Sequence, residues 1–373
     1  MTNVLIRGPI LTQSGYGVHC RQVFKWLKTK KNCNIYVQPT PWGINPWYVN
    51  PDELNGLVGE IMKCTREVNI KPDISFQVQL PDEWDPQAAI KNVGVTAFVE
   101  CDKGNPAWLS HCNAMDHIVV PSNFVKKSMM NTGPVSTPVS VIPESFPAAF
   151  KDIEPFSLDI PTKFNFLVFG QITATDPETD RKNTLNTVKW LYEAFRKDPD
   201  VGIILKANHG TNSKMDKKLV KKLLKNHLSQ INYNGVPKIY LLHGYLKETE
   251  IAGLYKNSDV KCLVSTTRGE GFGLPLLEAA ACGLPVMATN WSAHTEFLNH
   301  GKWLPIDYNL TTIPQARADG RIFMPGMRWA DPDKRSFVKR INKFRKGHTI
   351  PTEWAESLSE KIHENYSEEA VNA

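Results

Sequence analysis

Two glutamates with seven residues between them, Glu270 and Glu278, lie in the stretch Ser265 to Asn290, STTRGEGFGLPLLEAAACGLPVMATN. Glycines at 269, 271 and 273 flank the first and let the backbone approach a ligand closely. Pro275 suits the first turn of a helix, and the spacing puts Glu278 on that turn. Unpaired N–H groups at a helix start form an anion site, and carboxylates beside it accept hydrogen bonds from sugar hydroxyls. A nucleoside-diphosphate sugar offers phosphates and hydroxyls together. A glycine-rich surface turn leading into a core helix uses the same residue types with no ligand at all.

Arg181 and Lys182 stand where the long loop GQITATDPETDRKN meets a helical stretch. Two cations at the positive end of a helix dipole are unfavourable unless an anion sits with them, which makes the pair a candidate diphosphate site. Lys206, closing the run GIILK, is a further candidate for that cluster. Asp176, Glu178 and Asp180 in the loop read as solvated carboxylates rather than metal ligands. Near the amino terminus, Gly15-Tyr16-Gly17 in QSGYGVHCRQVFKWL follows the first strand and opens a helix, where glycine permits close approach to a diphosphate or acceptor. The third glycine and the later acidic residue of a dinucleotide fingerprint are missing, which disfavours an oxidoreductase.

Short β-rich runs alternate with amphipathic stretches along the whole chain, the pattern of parallel sheets with helices on both faces. The strand candidates in the first half are Val4–Ile6, Ile35–Val37, Ile74–Phe76, Val93–Phe98, His117–Val120 and Ser140–Ile142. Those in the second half are Phe164–Phe169, Gly202–Leu205, Ile239–Leu242, Val260–Val264 and Val286–Ala288. The fold class is α/β with two Rossmann-like, doubly wound domains. The segment PESFPAAFKDIEPFSLDIPTK, with four prolines and no helical period, reads as the connection between them. The expected domains are 1–158, 159–351 and, after Pro351, a terminal helical segment 352–373 that crosses back to the amino-terminal domain.

A chain of 373 residues has the length for two domains, and its 41% hydrophobic and 22% charged composition is that of a folded globular protein. The seven cysteines are scattered with no Cys-x-x-Cys pair, so they read as reduced thiols. No run approaches the roughly 18 to 20 apolar residues of a membrane span, and the default expectation is a cytoplasmic address.

The segment Glu270-Gly271-Phe272-Gly273-Leu274-Pro275-Leu276-Leu277-Glu278-Ala279, followed by Gly283-Leu284-Pro285-Val286, resembles the signature of the glycosyltransferase family 4 group of retaining, GT-B-fold enzymes. The resemblance implies two Rossmann-like domains facing across a cleft, the donor on the carboxyl-terminal one and the acceptor on the amino-terminal one. It implies that Glu270 orients the donor sugar, that Glu278 holds the nucleotide ribose, and that Gly271, Phe272, Gly273 and Leu274 line the donor. The stretch LLHGYLKETEIAGLYKNSD is similar to the family's turn that contacts the base, which makes Gly244 and Tyr245 candidates. NFLVFGQITATDPETDRKN is similar to the family's strand and phosphate loop, with Gly170 at the turn. The family arginine after that glycine is replaced by Gln171; Lys182 fits the family lysine, and Arg181 substitutes for the arginine. TAFVECDKGNPAWLSHCNAMDHIVVPS resembles one branch of the family, in which Glu100 and Asp102 reach acceptor or donor sugar. No metal is implied, because such enzymes neutralise the diphosphate with side chains and helix ends. Asp331-Pro-Asp333 reads as a helix cap.

The activity so implied is transfer of a hexosyl or pentosyl group from a nucleoside-diphosphate sugar, UDP favoured, to a hydroxyl acceptor, without a further cofactor. Six lysines at 214, 217, 218, 221, 222 and 225, and a second basic group from Lys334 to Lys346, are solvated helix faces or the footprint of a polyanion. With the Gly-Pro-Ile and Ser-Gly-Tyr-Gly-Val opening, which resembles phage-encoded members, they make hydroxymethylated bases in DNA the leading specific acceptor. In that case the address is the host cytoplasm. Polysaccharide, lipid and small-molecule acceptors are the alternative; a nucleotide-sugar 2-epimerase and a non-catalytic nucleotide-sugar or nucleic-acid-binding module are the rivals from other classes.

Overall fold

The structure, a computed structural model, describes residues 1–373 other than 151, 152, 154, 155, 173 and 233. The first half of the chain contains β1 (Thr2–Gly8), α1 (Gly15–Lys28), β2 (Cys33–Pro39), α2 (Leu57–Cys64), β3 (Ile74–Val78), β4 (Lys91–Val95), α3 (Trp108–Asn113), β5 (His117–Val120), α4 (Asn123–Thr132) and β6 (Val139–Val141). There follow β7 (Phe164–Gln171), α5 (Thr184–Phe195), β8 (Val201–Asn208), α6 (Lys214–Ser229), β9 (Lys238–His243), α7 (Glu248–Lys256), β10 (Val260–Ser265), α8 (Leu274–Ala281), β11 (Val286–Thr289), α9 (His294–Leu298) and β12 (Leu304–Ile306). The hairpin β13 (Tyr308–Thr312) and β14 (Arg328–Pro332) and the helices α10 (Lys334–Lys346), α11 (Thr349–Tyr366) and α12 (Glu368–Asn372) complete the chain.

Two six-stranded parallel sheets result, in the orders β2-β1-β3-β4-β5-β6 and β12-β11-β10-β7-β8-β9. In the second sheet Phe166 and Val168, Ile203 and Leu205, Cys262 and Val264 pack against α5, α6 and α10 on one face. The alternate residues Leu167, Ile204 and Leu263 pack against α7, α8, α9 and α11 on the other. Burial on both faces explains why these strands read as continuous apolar runs. In the first sheet Val4, Ile6, Ile35 and Val37 bury against Phe24 and Leu27 of α1 and Val58 and Ile61 of α2.

Each strand candidate from the sequence overlaps an observed strand, with two shortened, β6 by the single residue Ile142 and β4 by three. β4 stops at Val95 because Phe98 adopts φ of 54° and the Thr96 hydroxyl accepts the Phe98 N–H, turning the chain out of the sheet. The sequence reading missed β12, whose three residues include Pro305, and the hairpin β13–β14.

The chain divides into one unit of Met1–Glu144 with Gly320–Met324 and Asn372, and another of Ser145–Asp319 with Pro325–Val371 and Ala373. The boundary therefore falls at 144/145 rather than at 158/159. The proline-rich segment is anchored: Phe146 and Phe150 are buried in the second core, and the Phe156 N–H donates to the Gly253 carbonyl. Residues 151, 152, 154 and 155 of that segment lie outside the described residues. In the first unit, Arg321 Nε donates to Asp82 at 2.7 Å and its Nη2 to Glu83 at 2.8 Å, which accounts for the inclusion of 320–324. α11 packs within the second unit, burying Leu358 and Ile362, with Ser359 Oγ donating to the Ala281 carbonyl at the end of α8. Among the described residues no helix is long and apolar enough to cross a membrane, and all seven cysteines are free thiols.

Candidate active site

The order of the second sheet puts its topological switch between β7 and β10, and ligands of doubly wound sheets bind outside the carboxyl ends of strands at such a point. The loop after β7 carries Arg181 and Lys182; the loop after β10 carries Glu270. The two meet. Lys182 Nζ donates to both carboxylate oxygens of Glu270 at 2.7 Å, and Arg181 Nη1 lies 3.5 Å from Glu270 Oε2 while donating to the Gly269 carbonyl at 2.5 Å. Burial alone would raise the Glu270 carboxyl; Lys182 and Arg181 outweigh it and hold it at about 2. Glu270 is thus an ionised, acceptor-only group at neutral pH. The anion that two cations at a helix start require is supplied here by the chain itself.

The loop holding those cations is fixed by side chains. Asp180, expected to be solvated, is fully buried and accepts the Thr184 N–H at the start of α5. Asn183 takes φ of 52° and donates through Nδ2 to Thr266 Oγ1 at 2.9 Å, beside a 2.6 Å contact between Thr187 and Thr266. Arg268 was not singled out from the sequence. Its N–H donates to the Arg181 carbonyl, its own carbonyl accepts from Ala330 N–H, and its buried guanidinium bonds Asp331 and Glu178 and lies over the Trp329 ring. Asp331 is accordingly an ion-pair partner, and Asp333 caps α10 by accepting the Arg335 and Ser336 N–H groups.

Glu278 lies on the second turn of α8, one turn later than expected, because Gly273 with φ of 100° ends the loop and Pro275 occupies the first turn. Tyr255 OH donates to Glu278 Oε2 at 3.3 Å. Burial raises the Glu278 carboxyl to about 8, Glu248 adds to the rise, and the tyrosine bond opposes it. Gly273 is required twice over, since a Cβ there would also meet His294 Cβ at 3.0 Å. Gly271 is buried. Phe272 is a core residue, packed on Phe297 and Tyr366, and Leu274, half-buried, packs beside it.

Gly170 closes β7, where a Cβ would meet Thr184 Oγ1 at 2.8 Å; the glycine makes room for α5. Lys206 does not join the Arg181–Lys182 cluster. Its buried Nζ donates to Asn208 Oδ1 and to the Gly244 carbonyl, each at 2.7 Å, over the Phe169 ring, and desolvation lowers it to about 8. It therefore braces the turn at Gly244, whose φ is 102°, and Tyr245 beyond it is partly exposed.

In the first unit the switch lies between β1 and β3, and Gly15-Tyr16-Gly17 opens α1 after β1. Ser14 caps the helix by accepting the Gly17 N–H, and a Cβ on Gly17 would meet the Thr12 carbonyl oxygen at 2.3 Å. Tyr16 stacks on Trp42 at 3.9 Å, and its hydroxyl accepts the Ala97 N–H at 3.0 Å. These residues pack the loop itself. Glu100 and Asp102 lie, partly buried, on the loop between β4 and α3.

Residues 211–314, which contain both glutamates, match the family model for glycosyl transferases group 1. A search of curated proteins returns no match. Among solved structures, a sucrose-phosphate synthase from Thermosynechococcus elongatus superposes with a TM-score of 0.66 at 11% identity, covering 100% of this chain and 96% of that one. HepE from Anabaena, solved with UDP and glucose, gives 0.62 at 14% identity, covering 100% and 97%. The lipopolysaccharide outer core galactosyltransferase WaaB gives 0.57 at 15% identity, with the same coverage. Residues 211–314 thus match the model for glycosyl transferases group 1, and the chain has the two-domain GT-B fold of these solved structures.

Proposed function

We propose that the protein transfers a sugar, with retention of configuration, from a UDP-sugar to a hydroxyl acceptor. The observation that carries this reading is the Glu270 carboxylate held ionised by Lys182 and Arg181 at the switch point of the second sheet. An ionised carboxylate accepts from sugar hydroxyls, and the two cations beside it match the diphosphate of the same molecule. HepE, of the same fold, was solved with UDP and glucose, which supports uridine as the base. Glu278, in contact with Tyr255, receives the ribose, and the turn at Gly244 and Tyr245 faces the base.

In this reading the bond between the anomeric carbon and the phosphate oxygen breaks, and its electron pair goes to the diphosphate. Lys182 and Arg181 stabilise that charge as it develops. The acceptor oxygen attacks from the leaving-group face, and its proton passes to the departing phosphate oxygen. A helix-end and side-chain site supplies the neutralisation, so no metal is invoked.

The acceptor is read from α6. Lys214, Lys217, Lys218, Lys221, Lys222 and Lys225 are all exposed, and none has an ion pair among the described residues. In the second basic group Lys334 pairs with Glu193, Arg340 with Asp307 and Arg345 with Asp198, while Arg335, Lys339, Lys343 and Lys346 are exposed without an ion pair among the described residues. The unpaired α6 face supports a polyanionic acceptor, with hydroxymethylated bases in DNA as the specific form and a host-cytoplasmic setting. The test of the donor is a screen of UDP-, GDP- and ADP-sugars without acceptor, read by nucleotide release; release from GDP- or ADP-sugars alone would overturn the uridine assignment.

A further inference from the structure

Glu270 is gripped by its backbone as well as its carboxylate. Its N–H donates to Ser292 Oγ at 2.8 Å, and its carbonyl accepts from Ala293 N–H at 3.3 Å. Both partners belong to the turn between β11 and α9, where Ser292 takes φ of 84°, a left-handed conformation that a serine adopts only under constraint.

Behind that turn His294 is fully buried. Its Nε2 lies 2.7 Å from the Thr289 carbonyl oxygen, which can only accept, so Nε2 carries the proton. Desolvation lowers the imidazole and Glu270 opposes the fall, which leaves the ring neutral with a lone pair on Nδ1. Ser292 Oγ is 3.3 Å from Nδ1 and therefore donates to it. That fixes the hydroxyl proton away from Glu270 and turns the oxygen's lone pairs toward the Glu270 N–H. Every polar atom in the line from Thr289 to Glu270 has one role.

The line matters once a donor is bound. Lys182 and Arg181 then share their charge with the diphosphate, and the carboxylate grip on Glu270 weakens when it must meet the sugar hydroxyls. The peptide grip uses neither cation. We propose that Ser292 and His294 are positioning residues for Glu270: His294 sets the direction of the Ser292 hydroxyl, and Ser292 holds the Glu270 peptide during transfer. The proposal rests on the reading of Glu270 as the sugar-orienting carboxylate.

The test compares Ser292→Gly, His294→Gln, the double variant and Glu270→Gln, using UDP-glucose or whichever nucleotide sugar the release screen turns over. Glycine accepts the φ of residue 292 without strain, so Ser292→Gly removes the hydroxymethyl group, and with it the hydroxyl, without straining the turn. Glutamine keeps a donor for the Thr289 carbonyl and loses the acceptor at Nδ1. The expected result is a fall in kcat of about tenfold for Ser292→Gly, the worth of one hydrogen bond, with binding of UDP alone unchanged. His294→Gln lowers kcat less, and the double variant equals Ser292→Gly, because His294 acts through Ser292. Losses that multiply in the double variant would assign His294 to packing and overturn the relay. Unchanged kcat in Ser292→Gly, with Glu270→Gln inactive, would overturn it too. Full turnover by Glu270→Gln would overturn the reading of Glu270 beneath it. Ser292→Gly leaves the packing of His294 intact, so it decides the question even where His294→Gln does not fold.

Discussion

Replacing Lys182 by methionine tests the ion pair at the centre of the site. The substitution keeps most of the side-chain stem but removes the ammonium that lies 2.7 Å from both Glu270 oxygens. Glu270 has a side chain only 7% exposed, so its carboxylate cannot turn to water, and Arg181 Nη1 at 3.5 Å is the cation that remains. Breaking a buried pair by removing one partner costs roughly 3 to 5 kcal/mol; with Arg181 retained, about 2 to 3 kcal/mol is expected. At ~2 to 4 °C per kcal/mol, the melting temperature of the second unit falls by about 5 to 10 °C. The pH dependence carries a sign. The folded Glu270 carboxyl sits at about 2, below its ordinary 4.5, so its contribution is complete above pH 4.5 and is lost as pH falls toward 2. The gap between wild type and variant should therefore be widest at neutral pH and close across that window. Urea unfolding of wild type, Lys182→Met, Glu270→Gln and the double variant at pH 7 and pH 3 measures it. Coupling between the two sites of about 1 to 3 kcal/mol at pH 7, shrinking at pH 3, is the expected outcome. Strictly additive losses at pH 7 would refute the reasoning.

The remaining expectations are independent of that pair. Glu278 is raised to about 8 in the folded chain, so the native state binds more protons than the unfolded one between its ordinary 4.5 and 8, and stability should fall as pH rises through that window; thermal melts of Glu278→Gln should lose this slope. Lys206→Met removes the brace on the Gly244 carbonyl and should raise KM for the donor several-fold with kcat little changed, whereas a role on the phosphates would lower kcat. If the α6 lysines meet DNA, binding should weaken with salt, and each charge reversal among Lys217, Lys218, Lys221 and Lys222 should reduce the log–log slope by about 0.9 for the phosphate contact it loses; no shift of duplex DNA at low ionic strength would remove that acceptor.

The strands of both sheets were legible because a parallel strand buried on two faces must be apolar along most of its length, as Phe166–Val168 and Ile203–Leu205 are. The glutamate pair and the basic pair were legible from residue type and spacing. The supports were not. Arg268 reads as one more charge beside a glycine loop, and only folding shows its backbone between Arg181 and Ala330. Ser292 and His294 lie in NWSAHTEF, an ordinary polar turn in sequence; their contact with Glu270 depends on β11 lying beside β10. The clue available was position, since the segment follows the strand adjacent to the one that carries Glu270. Phe272 sits inside the motif, and the packing of its ring into the core shared with α9 and α11 was equally hidden. The domain boundary moved because Phe146, Phe150 and Phe156 anchor a segment whose prolines read as a linker.

The most direct test of the central claim is turnover of a nucleotide sugar by purified Glu270→Ala beside wild type, with folding verified by thermal melting. Orientation of the sugar and maintenance of the Lys182 geometry both pass through that carboxylate, so nucleotide release should fall by about two orders of magnitude or more. Lys182→Ala should fall similarly. A folded Glu270→Ala variant with full activity would contradict the assignment of this site.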